Sequence, residues 1–177
     1  MSASLRSCAI LIAGLFGLAS SLGAQSLQRV SLQVAGSALY VTSRDPSYTG
    51  KSRIGFEAQG RYTFGRLSLG AGYQRSTVYP FREKQHSLLF LEPKYVATTR
   101  GGVALYLVGR LGLGSLVCRP EAQCRTQTTY GTFGGGSGLL IRLNRRMSAD
   151  LGAQFLQVTG IYSSAYVMLR AGLGIGL

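Results

Sequence analysis

The chain has 177 residues, 46% of them hydrophobic and 14% charged, with a formal net charge of +13, which allows one folded domain and excludes a disordered polypeptide. Its 19 lysines and arginines are dispersed and form no polybasic run, so nucleic acid is not an expected partner and an anionic membrane surface suits the charge better. Beyond residue 24 no stretch approaches the roughly 20 uninterrupted apolar residues of a spanning helix, and 25 glycines, about twice ordinary usage, argue for strands and turns rather than long helices.

The first 24 residues read as a secretory signal peptide. Met1 to Arg6 carries one positive charge, Cys8 to Leu18 is almost unbroken apolar sequence, and Ser20 to Ala24 is small and neutral apart from Leu22. Cleavage is expected after Ala24, with Ala19 to Ser21 as a second site, and it leaves a mature charge of +12 after loss of Arg6. Cys8 precedes the apolar core instead of following it, which argues against a lipoprotein. Residues 25–177 are then one domain.

That domain repeats a period-two alternation, one face apolar or aromatic and the other polar, charged or glycine. In the first segment Val30, Leu32, Val34, Ala38 and Tyr40 oppose Ser31, Gln33, Ala35 and Ser37. The second sets Ile54, Phe56, Ala58, Tyr62 and Phe64 against Arg53, Glu57, Gln59, Arg61 and Thr63. The third runs from Leu67 to about Arg75, and the fourth from about Ser87 to Ala97, with Pro93 as an awkward residue that predicts a bulge. In the fifth, Val103, Leu105, Leu107, Leu111 and Leu113 face away from Tyr106, Arg110, Gly112 and Gly114. The sixth opposes Phe133, Leu139, Ile141 and Leu143 to Gly134, Gly136, Gly138 and Arg142, and the seventh opposes Leu151, Ala153 and Phe155 to Asp150, Gly152 and Gln154. The eighth, Ala165 to Leu177, sorts completely: its odd positions are apolar, and its even positions hold Tyr166, Met168, Arg170 and three glycines.

Short links at Gly65 with Arg66, Thr98 to Gly102 and Asn144 to Arg146 alternate with mostly longer, more polar ones near 42–52, 76–86, 117–130 and 159–164. Tight turns on one side and long loops on the other are the pattern of an eight-stranded antiparallel up-and-down transmembrane β-barrel. Both chain ends then lie on the short-turn side, where Arg66, Arg100, Arg145 and Arg146 are placed to meet anionic head groups. Tyr62, Phe64 and Tyr95 form one aromatic girdle and Tyr40, Phe133 and Phe155 the other.

A soluble barrel also alternates, but its polar face is solvated and rich in Lys and Glu, whereas here that face holds glycines and a few arginines. The polar face is therefore expected to line a narrow lumen. Its charges, Glu57, Arg61, Glu92, Lys94, Arg110, Arg142, Asp150 and Arg170, are expected to neutralise one another as a plug, since buried charge needs a partner. Hairpin registers put Glu92 near Arg110 and Tyr106, and Asp150 near Arg142.

Cys118 and Cys124 lie in a polar stretch and are expected to form a disulfide in an oxidising compartment. Such a small loop adds only about 2 kcal/mol, so the bond would chiefly shape the loop. With His86 as the sole histidine, no metal site is expected, and no cofactor motif is present.

This architecture resembles the eight-stranded bacterial outer-membrane β-barrel proteins, the class containing the OmpA transmembrane domain and OmpX-like proteins, over residues 26–177. The resemblance implies a monomer in the cell outer membrane, in contact with outer-membrane lipids and lipopolysaccharide and with the barrel-assembly machinery through its last strand. Members of the class end in an aromatic residue, and Leu177 stands in its place. The implied role is structural or surface-interacting through the external loops; a narrow ion-conducting pore and a lipid A-modifying enzyme are the alternatives. Lipid A deacylases of the class use His and Ser two residues apart, but His86 and Ser87 are adjacent and point to opposite faces. Glu92 is roughly 20 Å from His86 along a strand, so no enzyme is expected.

Overall fold

The computed structural model describes residues 29–42, 52–78, 84–118, 128–160 and 164–177. The signal peptide expected at 1–24, residues 25–28 and most of each longer link lie outside the described residues. Within them run β1 (Val30–Val41), β2 (Ser52–Phe64), β3 (Leu67–Val78), β4 (Lys84–Arg100), β5 (Val103–Cys118), β6 (Thr128–Arg142), β7 (Met147–Thr159) and β8 (Ser164–Gly176). Each strand pairs antiparallel with the next, and β8 returns to β1 from Ser31↔Gly176 to Val41↔Tyr166, closing the barrel. Closure leaves no unpaired sheet edge.

The short turns follow from their residues. Gly65 and Arg66 join Phe64 to its partner Leu67, with Gly65 at φ 65°, a left-handed backbone that glycine adopts without strain. Gly101 and Gly102 do the same between Arg100 and Val103, so the turn expected over Thr98 to Gly102 is only two residues long. At the third turn Asn144 Oδ1 accepts from the Arg146 and Met147 amides at 2.8 and 2.7 Å, replacing a backbone partner with its own side chain.

Four strands are longer than their alternation suggested: β3 reaches Val78, β4 spans Lys84–Arg100, β5 reaches Cys118 and β6 starts at Thr128. The bulge expected at Pro93 is elsewhere. Leu91↔Leu111 and Lys94↔Val108 keep one register across Pro93, and the shift falls between Val96 and Thr98, so Ala97 is the inserted residue. Proline costs pairing without costing register: Glu92 and Pro93 drop out of the β5 ladder only.

Burial is inverted relative to a water-soluble barrel. Leu32, Leu89 and Leu113 are 55%, 65% and 70% exposed, whereas Glu92 and Asp150 are 0% exposed. The outward run from Val103 to Leu113, at about 3.3 Å per residue and a strand tilt of about 40°, stands roughly 25 Å tall, the height of a membrane barrel's apolar band. Near its middle the outward residues become small on almost every strand, with Gly36, Ala58, Ala71, Pro93, Gly109, Gly135, Ala153 and Ala171 forming a waist.

A candidate site in the barrel lumen

The inward positions of β2, β4, β5, β7 and β8 bring three carboxylates and four cations of the described interior together in one ion-paired layer of the bore. The three carboxylates are Glu57, Glu92 and Asp150, and the cations beside them are Arg61, Lys94, Arg110 and Arg170, all buried. The other three acidic residues of the chain, Asp45, Glu83 and Glu121, lie outside the described residues.

Glu92 is the hub. Its carboxylate accepts from Arg61 Nη2 at 2.6 Å, Arg110 Nη2 at 2.5 Å and Arg170 Nη1 at 2.9 Å, with Gln154 Nε2 at 3.2 Å. Glu57 accepts from Arg110 Nη1 and Arg170 Nη1, each at 2.9 Å. Asp150 takes Lys94 Nζ at 2.6 Å, Arg170 Nη2 at 3.3 Å, Gln33 Nε2 at 2.5 Å and the Tyr106 hydroxyl at 2.5 Å. Such charge-assisted bonds are about twice as strong as neutral ones. They also cross the bore, because Arg110 on β5 and Arg170 on β8 both reach β2 and β4.

Neutral groups complete the layer. Gln59 Nε2 donates to Gln33 Oε1 at 2.5 Å, Arg61 donates to Ser68 Oγ and Gln59 Oε1 at 3.0 and 3.1 Å, and Arg110 donates to Gln74 Oε1 at 3.2 Å. Two rings add faces to the cations: Lys94 Nζ lies 3.9 Å from the Tyr106 centroid and the Arg110 guanidinium 4.0 Å from that of Phe90. Glycines leave room where these side chains cross. A Cβ on Gly70 would strike Gln59 and Arg61, and one on Gly138 would strike the Tyr106 hydroxyl.

Two registers differ from expectation. Arg142, expected beside Asp150, lies opposite Ser148 at the last residue of β6, exposed beside the short turn; the two-strand register offsets it from Asp150, and Asp150 finds Lys94 and Arg170 across the bore. Tyr106, expected near Glu92, gives its hydroxyl to Asp150. Sequence reasoning did not select Gln33, Gln59, Gln74, Gln154 or Ser68. All sit at inward parity among the charges, which was the available signal.

Toward the loop end the lumen changes character. Leu39, Leu156, Tyr166 and Met168 form an apolar cluster. Above it Arg53 contacts His86 Nδ1 at 3.2 Å and donates to the Tyr166 hydroxyl at 3.0 Å, and the Tyr130 hydroxyl lies 3.3 Å from the same His86 nitrogen. His86 therefore faces inward, while Ser87 faces outward and accepts from the Tyr73 hydroxyl at 2.9 Å. Among the described residues no group of three or more His, Cys, Asp or Glu could hold a metal ion. Cys118 ends β5, and Cys124, its expected disulfide partner, lies outside the described residues.

No protein-family model matches the chain and no curated protein does. Among solved structures it is similar to Neisserial surface protein A, with a TM-score of 0.71 at 16% identity over 84% of this chain and 97% of that one. Ail, the attachment invasion locus protein of Yersinia pestis, aligns at a TM-score of 0.45 and 12% identity over 82% of this chain and 95% of that one. The fold is the eight-stranded antiparallel barrel of outer-membrane proteins.

Proposed function

We propose that the protein is an integral barrel of the bacterial outer membrane, inserted as a monomer with its long loops outward, and that its role is structural or surface-interacting through those loops. The carrying observation is the pairing of an apolar outer wall with a bore crossed by seven buried ion pairs among the described residues. In water such a wall is a single exposed apolar patch that no soluble monomer maintains; in lipid it is the required surface. The bridged bore supports a plug over a channel, since an eight-stranded interior is just wide enough for side chains to fill. Contacts with outer-membrane lipids and lipopolysaccharide, and delivery by the barrel-assembly machinery through β8, belong to this reading.

The test is fractionation of cells combined with electrophoresis of unheated and heated samples. A heat-modifiable band in the outer-membrane fraction is expected, together with no steady conductance in planar bilayers. Recovery as a soluble periplasmic protein would overturn the reading, and stepwise ion currents would replace the plug with a pore.

A further inference from the structure

The outward wall is mostly apolar, with scattered neutral polar residues such as Ser87 and Ser137. Away from the turns, Arg75 on β3 is the only charged outward side chain of the described strands. It is exposed, lies directly opposite Ser87 in the β3–β4 register and opposite Phe56 in the β2–β3 register, and its guanidinium donates to Gln85 Oε1. Beside it the Tyr73 hydroxyl donates to Ser87 Oγ at 2.9 Å. Every acidic residue described is in the lumen, so none of the described residues offers Arg75 a carboxylate. A cation held on an apolar wall by one amide oxygen still has donors of its fork to offer an anion.

The wall also has a groove. A shallow depression of about 1080 Å³ winds around the barrel from Leu32 on β1 to Thr159 on β7, and on β3, β4 and β5 it is flanked by Ala71, Tyr73, Leu89, Leu91, Leu111 and Leu113. Tyr73 lines the groove and stands two positions from Arg75 on the same outward face of β3, so the cation lies next to the apolar trough. That adjacency describes an amphiphile: a negative head at Arg75 and a hydrocarbon tail below.

We propose that the loop-side half of β3 and β4 binds one phosphorylated lipid, its phosphate on Arg75 with Tyr73, Gln85 and Ser87, and an acyl chain in the adjoining groove. Phosphate fits better than a simple carboxylate because the guanidinium fork takes two oxygens and the flanking hydroxyl and amide donors can reach a third. The site rests on the reading of the outer wall as lipid-facing.

Native mass spectrometry of the detergent-solubilised protein tests it, with dioleoylphosphatidylglycerol as probe and dioleoylglycerol as the phosphate-free control. One phosphatidylglycerol per chain is expected to stay bound, with Arg75→Gln weakening binding about tenfold, the size of one lost charge-assisted hydrogen bond. Arg75→Lys keeps the charge but loses the fork and should fall between. Inorganic phosphate should not displace the lipid. Equal retention by the wild type and Arg75→Gln, equal retention of dioleoylglycerol, or displacement by inorganic phosphate would each overturn the proposal. Heat-modifiable migration of each variant reports that it folds. A wild-type chain that fails to insert into vesicles sinks the membrane reading itself, whereas insertion with no effect at Arg75 sinks only the lipid site.

Discussion

Glu92→Gln removes one charge at the centre of the bore while keeping the side chain's shape. Three guanidiniums share that carboxylate, and their fates differ. Arg110 and Arg170 keep Glu57, and Arg170 also keeps Asp150, but Arg61 loses its only carboxylate. The ion-paired layer then holds four cations against two carboxylates, all buried. Removing one partner of a buried pair costs about 3–5 kcal/mol, a large share of the roughly 5–15 kcal/mol that holds a domain folded. Glu57→Gln should cost less, about 1–3 kcal/mol, because both of its arginines retain Glu92. Adding Arg61→Leu to Glu92→Gln should recover about 1–3 kcal/mol, since it removes the cation left alone. The chain contains no Trp, so urea unfolding in micelles is followed by circular dichroism and by the folded fraction on unheated gels. If Glu92→Gln lies within about 1 kcal/mol of the wild type, or Glu57→Gln costs more, the ranking drawn from shared partners is wrong.

Three further outcomes separate the remaining features. Tyr106→Phe removes one of four donors to Asp150 but keeps the ring beneath Lys94; about 1–2 kcal/mol is expected, read in the same urea titration. Gly138→Ala would drive a methyl group into the Tyr106 hydroxyl and the Leu151 carbonyl, whereas a Cβ on Gly36 meets nothing within 4 Å. The first should cost about 1–3 kcal/mol or abolish the folded gel band, and Gly36→Ala should stay within about 0.5 kcal/mol. Leu111→Arg changes an outward residue that is 59% exposed. In lipid it should cost about 2–4 kcal/mol, measured by refolding into vesicles, and a neutral result would mean that β5 faces water.

The parity of the strands was legible because each inward or outward assignment is confirmed by several neighbours, as in β8, where Ala165 to Leu177 alternates without a break. Strand ends were less legible. Lys84, Gln85 and His86 read as loop by polarity, yet they extend β4 because they pair with β3 or β5; pairing across strands is a property of the neighbour as much as of the residue. The bulge was misplaced for a related reason. Pro93 announces a lost donor, but Ala97 carries no local mark, and its insertion is visible only against the register of β5. In the lumen, parity identified the inward charges, while which carboxylate meets which cation depends on reach across the bore. Arg110 finds Glu57 from the far side of the barrel, 53 positions away in sequence, and no hairpin register can supply that pair.

The vertical order inside the barrel determines where specificity can reside. A species entering from the loop end meets the Arg53, His86, Tyr130 and Tyr166 layer, then the apolar Leu39, Leu156 and Met168 layer, and then the bridged charges. Passage requires Arg110 or Arg170 to leave the carboxylates of Glu57 on β2 and Glu92 on β4. At about 3–5 kcal/mol for exposing one unpaired buried charge, the open state would occupy less than about one molecule in a hundred. What remains able to recognise a partner is the outer wall around Arg75 and the loops above it, which join strands whose relative positions the ion-paired bore holds fixed.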